Sequence, residues 1–185
     1  MHLPAFSSRR LIGTAALACT AALASVAALA VTASSAPAGA GAASTPRCAT
    51  SGLVTWLNNE ENGTAGSFYY TLVLTNLSGH TCTLVGYPGV SAVNLVGHRL
   101  GSAALHDASQ KPRVVTLASG AGATAVLRIV DVGDFSAAGC RPVTAAGLRV
   151  HPPGQTTSKV VPFPFQACSR SGLHSLEVQA VMPAK

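Results

Sequence analysis

Residues 75–90 read Thr-Asn-Leu-Ser-Gly-His-Thr-Cys-Thr-Leu-Val-Gly-Tyr-Pro-Gly-Val, and no other stretch limits the fold as tightly. They follow a run in which Phe68, Tyr70, Leu72 and Leu74 share one parity. A period of two sets those side chains on one face of a strand. Asn, Ser and Gly then offer the backbone a turn, a short apolar run around Cys82 follows, and Tyr-Pro-Gly turns the chain again. Strand, turn, strand, turn predicts a hairpin in an antiparallel sheet.

The same grammar recurs along the chain. Residues 53–57 form a first strand and residues 58–63 a polar loop. Residues 90–96 form another strand, and Gly97 turns it into a short return at 98–100. After an irregular stretch at 101–113, residues 114–117 resume the sheet. Residues 123–132 place Ala125, Leu127 and Ile129 inward and Arg128 outward; residues 131–142 form a loop, and 148–150 a short strand. In residues 160–165, Pro162 and Pro164 fall on one parity and Phe163 and Phe165 on the other, which suits an edge strand. The last run, 173–182, alternates Leu176, Val178 and Ala180 against polar residues. No amphipathic helix stands out. Eight or nine short strands punctuated by Gly, Pro and Asn predict an all-β fold, an immunoglobulin-like antiparallel β-sandwich, with a small β-barrel as the alternative.

The first third has a different composition. Arg9 and Arg10 precede an uncharged Ala-, Leu- and Val-rich run over residues 11–31, and Val31-Thr32-Ala33 supplies the small residues that a signal peptidase reads. Residues 1–33 are therefore expected to be a signal peptide, with a second cleavage option after Ala40. The alternatives are an uncleaved membrane anchor over residues 11–31 and lipidation at Cys19, whose upstream Ala16 departs from a lipobox. The Arg pair also permits twin-arginine export. Residues 34–47 are Ala, Ser, Gly and Pro with almost no large side chain and read as a flexible linker. The folded domain is expected over residues 48–185.

Setting Cys19 aside leaves Cys48, Cys82, Cys140 and Cys168. An even number at wide spacing in an exported chain implies two disulfides with three connectivities. The sequential pairing, Cys48–Cys82 with Cys140–Cys168, is preferred because it pins the first and the last-but-one strands locally. Each loop closed that way is worth about 3–4 kcal/mol.

The net charge is +6, or +4 once Arg9 and Arg10 leave with the leader. The remaining basic residues are scattered, so no clustered face for nucleic acid is expected. Asp131 and Asp134 could make a carboxylate pair, or a calcium site with Glu60 or Glu61, but three-residue spacing in a loop is ordinary turn chemistry. His80 and Cys82 share ligand spacing only if the thiol is unbridged, and His106-Asp107 lacks a serine motif around it. No catalytic residue, metal site or cofactor is expected. The aromatics offer more: Trp56, Tyr87 and Phe135 are the candidates for a binding surface. The competing and preferred reading puts Trp56 in the core between the sheets and has Tyr87 merely close a turn.

The opening stretch also carries a resemblance. The pattern Thr75-Asn76-x-Ser78-Gly79-x-x-Cys82-Thr83-Leu84-x-Gly86-Tyr87-Pro88-Gly89-Val90 resembles the signature of a secreted actinobacterial family of unknown function. Cys48 at the domain start, residues 119–125 leading into a central strand, and the later Cys140 and Cys168 are similar to that family's layout. The resemblance implies export, two disulfides and a β-sandwich, and it brings no activity or catalytic residue with it. The expected role is a non-enzymatic binding module of the envelope or extracellular space, with a protein or glycan as partner. A secreted hydrolase without a recognisable motif and a membrane-anchored sensor or stalk domain are the alternatives. A concave pocket that gathers a carboxylate and a histidine would favour the hydrolase.

Overall fold

The computed structural model describes residues 44–64 and 66–185; the expected signal peptide, and the linker up to residue 43, lie outside the described residues. Among the described residues twelve strands follow in order: β1 (Leu53–Thr64), β2 (Ser67–Asn76), β3 (Cys82–Leu84), β4 (Gly89–Val93), β5 (Arg99–Leu100), β6 (Leu105–Asp107), β7 (Val115–Leu117), β8 (Gly122–Val130), β9 (Pro142–His151), β10 (Lys159–Cys168), β11 (Leu176–Gln179) and β12 (Met182–Pro183). A single helical turn, α1 (Ala137–Cys140), precedes β9.

The strands make an open sandwich. One sheet runs β1-β2-β8-β11-β6, with β12 also on β8; the second runs β10-β9-β4-β5; β3 and β7 form a small third ribbon. None closes into a barrel. The alternation of β2 and β8 drives this arrangement: Leu72, Leu74, Ala123 and Leu127 are fully buried on one face and meet Val90, Leu148 and Val150 from the other sheet. Tyr70 and Phe163 join the two layers edge to face, with centroids 4.8 Å apart. Burying apolar side chains between two sheets is the main favourable term in such a fold.

Both disulfides have the sequential connectivity. Cys48 is bonded to Cys82 and Cys140 to Cys168, each with an S–S distance of 2.04 Å. All four cysteines are buried.

Several expectations change. The residues read as a polar loop at 58–63 belong to β1, which pairs with β2 as far as Thr64↔Ser67. A register slip between Asn58 and Asn62 absorbs the extra residues, and an edge strand tolerates their polarity. The turn that follows needs Gly66 at φ 77°, and a side chain there would also strike the Asp134 carboxylate. Residues 75–90 do not form a hairpin, because β3 pairs with β7 and not with β2. The strand expected to reach residue 96 stops at Val93; Leu95 and Val96 stand at the turn tip, 95% and 75% exposed. The irregular stretch 101–113 contains β6, which pairs parallel with β11 and so breaks the purely antiparallel plan.

The loop expected at 131–142 holds a 3₁₀ turn and α1, and β9 runs ten residues where three were expected. Small residues hid the length of β9: at Gly147 an added Cβ would collide with the Val161 carbonyl, so the neighbouring backbone requires glycine there. In β10 the Pro162/Phe165 register slip falls on the prolines, and β10 is an edge strand. The linker's last residues already join the fold, since the Pro46 carbonyl accepts from Thr83 N at 2.9 Å.

Candidate functional site

The outer face of the six-stranded sheet is built by the residues alternating with the core set. Register places Trp56 opposite Val73, Val73 opposite Thr124, and Thr124 opposite Met182, one row across four strands. Val54 sits one step along the same face, and Val54 and Trp56 are each 46% exposed. The expectation that Trp56 fills the core is therefore overturned: Leu53 and Leu72, of opposite parity, take the inward places.

Beside this row lies a shallow depression of about 540 Å³. Val126 and Met182 are among its apolar lining, Gln110, Thr124 and Gln179 add polar groups, and Arg113 and Lys185 stand at it as cations. Two strand spacings, roughly 10 Å, separate it from Trp56. Farther along the same face Arg128 Nη1 donates to Glu177 Oε2 at 2.9 Å and its Nε donates to Ser67 Oγ at 3.0 Å. Gln179 Nε2 donates to Asp107 Oδ2 at 2.9 Å, and the Ser109 amide donates to Oδ1 at 2.9 Å. The Gln179 bond foremost, then those from Ser109, holds the Asp107 carboxyl below its usual 3.8.

Tyr87 is half-buried and stacks on His106 with centroids 4.3 Å apart and planes 6° from parallel. Its hydroxyl donates to the Gln110 carbonyl at 3.5 Å, which ties it to the rim of the depression. Phe135 lies elsewhere. It follows the 3₁₀ turn of residues 132–134, which packs near β10. Near that turn an apolar crevice of about 260 Å³ opens between the sheets, lined by Phe68, Tyr70, Ile129, Phe165 and Asp131 among others. It offers a carboxylate and no histidine. The fold puts Trp56 on the outer face, connects Tyr87 to the depression only through the Gln110 carbonyl, and leaves Phe135 apart.

The remaining polar candidates serve turns. Asp131 Oδ1 accepts from the Gly133 amide at 2.7 Å, and Asp134 sits against Gly66. Glu60 caps locally with Asn58, and nothing is described for the Glu61 side chain. His80 Nδ1 lies 3.1 Å from the Ser78 carbonyl. Among the described residues no group of three His, Cys, Asp or Glu side chains gathers to hold a metal.

The residue that sequence reading missed is Asn76. It is fully buried, and its Nδ2 donates to the carbonyls of His80, Leu117 and Ala118 at 2.8, 3.0 and 3.2 Å. Its Oδ1 accepts from Ser78 N and Ser78 Oγ. The Asn-x-Ser-Gly order of residues 76–79 is the signal that could have found it, since it is the order of a side-chain-closed turn. This corner is the physical content of the opening stretch: one amide locks the turn after β2 to the end of β7.

A family model matches residues 48–182, from the first bridge cysteine to the last strand. The chain belongs to the DUF4232 family, a domain of unknown function. No curated protein and no solved structure matches it. The DUF4232 domain therefore spans both large sheets, both disulfides and the Asn76 corner, and the outer face belongs to it as well. Two disulfides point to an oxidising compartment outside the cytoplasm. Among the described residues no helix is long and apolar enough to cross a membrane.

Proposed function

We propose that the protein is an exported, non-enzymatic module of the cell envelope or extracellular space that docks a protein or glycan on the outer face of its six-stranded sheet. Trp56 carries the reading. It is the chain's single tryptophan, a side chain whose apolar area drives it inward, yet it stands half exposed beside Val54 and near a depression with an apolar floor and a cationic rim. Aromatic surface next to satisfied polar groups is the chemistry by which sandwiches hold sugars and peptides. The disulfides and the Arg9-Arg10 leader support export, and the Ala- and Gly-rich leader and flexible linker fit a secreted actinobacterial protein. No cofactor and no nucleic acid enter this reading, and a membrane enters only if residues 11–31 stay attached.

With one tryptophan in the chain, emission reports on this face alone. Titrating the exported, oxidised protein with soluble cell-wall glycan fragments, and separately with the secreted-protein fraction, is expected to shift or quench that emission in one arm. Met182→Lys should abolish the change. Unaltered emission in both arms overturns the reading, and released sugar in the glycan arm replaces it with a hydrolase. Intact mass of the exported protein is expected to lack residues 1–33; a mass retaining them would indicate the anchored alternative.

A further inference from the structure

Among the described residues the two large sheets end in five edge strands, and four are closed to further pairing, among them β12, which is two residues long and includes Pro183. β5 and β6 are two and three residues long, and β10 carries Pro162 and Pro164, which cannot donate to a ladder. β1 is different. It is twelve residues long, contains no proline and pairs only with β2. Its second half is guarded by the register slip between Asn58 and Asn62 and by the charge of Glu60. Its first half, Leu-Val-Thr-Trp-Leu at residues 53–57, carries no charge and exposes Val54 and Trp56. A long, uncharged, apolar edge is a template for another strand.

The sequence of that half selects the strand. It is self-complementary about Thr55: apolar Leu53 and Leu57 lie two residues to either side, and Val54 and Trp56 lie one residue to either side. We propose that β1 pairs antiparallel with β1 of a second copy of this chain, about a two-fold axis at Thr55. The axis sets each Val54 opposite the other copy's Trp56, an aromatic with β-branched pair of the kind that stabilises sheets. Leu53 meets Leu57 on the inner side. Glu60 and Glu61 fall beyond the paired segment, so like charges do not meet.

A second observation lies on the axis itself. Among the described residues Thr55 Oγ1 is a buried side-chain oxygen with no hydrogen-bond partner. Buried polar atoms are nearly always partnered. Thr55 Oγ1 is covered by its own chain as it stands, and a turn of the side chain about χ1 on pairing would uncover it and let one Thr55 hydroxyl donate to the other across the axis. The result is an isologous interface and a continuous sheet with six strands from each copy, which places both depressions on one face. The inference goes beyond the docking role proposed above and does not depend on what the outer face binds.

Sedimentation of the exported, oxidised chain across a concentration series tests it. The wild type is expected to dimerise, while Val54→Lys and Trp56→Glu each weaken the dimer by about tenfold or more, since symmetry makes each change twice. The double variant, Val54→Lys with Trp56→Glu, sets the introduced ammonium of one copy opposite the introduced carboxylate of the other at both places and is expected to recover association. Far-ultraviolet circular dichroism checks that each variant remains folded. A wild type that stays monomeric at about 100 μM, far above the usual Kd of a specific pairing, overturns the proposal. So does a dimer indifferent to the single changes, or a double variant weaker than both. A monomer that captures an extended peptide of another protein along β1 overturns it equally, because the occupant is then not a second copy.

Discussion

Asn76 and Trp56 belong to adjacent strands of one sheet and have exchanged the surroundings their chemistry suggests. The polar amide is fully buried at the end of β2, and the indole is half exposed on β1. Burying an amide costs free energy unless its bonds are replaced, and here three carbonyls and the Ser78 donors replace them. Trp56 would gain by moving out of water, but Leu53, Leu72 and Leu74 already fill the inner face. One inversion is completed within the chain. The other leaves the indole half in water.

The largest effect should come from breaking the completed inversion. Asn76→Ala removes the amide shared by the carbonyls of Leu117, His80 and Ala118, of which His80 still accepts from Ser78 Oγ and Ala118 from the Ala121 amide, and it takes the acceptor from the Ser78 amide. At about 1–3 kcal/mol each for the Leu117 carbonyl and the Ser78 amide, partly relieved by water, the expected loss is about 3–4 kcal/mol in urea unfolding. A loss below about 1 kcal/mol would mean that the corner is a turn like any other. Asn76→Asp should not rescue it, since a carboxylate presents no donor to three carbonyls.

Next in size is the bridge that frames the same corner. Cys48 and Cys82 are 34 residues apart, and replacing both with alanine is expected to cost about 3 kcal/mol. Cys140–Cys168, with a separation of 28, should cost a similar amount. Alkylation of the native protein without reductant should label none of the four; four labelled thiols would refute the framework.

How far the fold could be read beforehand follows from these regions. Alternation was legible wherever one face of a strand was buried and the other wet, as in β2, β8 and β11, since burial enforces a period of two. It was not legible where another force set the strand. Pairing with β2 carries polar residues 58–64 into β1, close backbone contact selects the small residues of β9, and three residues of β6 are too few to show a period. Of the candidate surface residues, sequence marked Trp56 and Tyr87 by type alone; no local pattern says that β1 turns its tryptophan outward, because parity is read only against a known core. Residues 75–90 misled about pairing because a turn motif records the turn and not the strand that the chain pairs with afterwards.

A smaller effect sharpens the polar half of the comparison through pH. Asp107 is held below its ordinary carboxyl value chiefly by Gln179 and then by Ser109. A group depressed on folding adds stability that is present above its unfolded value and lost as pH falls through the folded one. Unfolding midpoints of the native protein and of Asp107→Asn should therefore differ most near neutrality and converge below about pH 4, where the unfolded carboxyl protonates. A constant gap across that range would assign the difference to packing.

The smallest effect tests the open inversion. Trp56→Ser removes a half-exposed side chain whose register partner is Val73, so in dilute protein it should cost less than about 1 kcal/mol. Leu72→Ala, one residue along β2 but inward and fully buried, should cost about 2–5 kcal/mol. The contrast holds only while β1 is unpartnered. Anything that binds the folded state alone adds stability that rises with its concentration. With β1 pairing between copies, the wild-type midpoint should climb with protein concentration while that of Trp56→Ser stays level, and the gap between them should widen from near zero. Parallel midpoints at every concentration would leave Trp56 as solvent-exposed surface and return the face to the docking role alone.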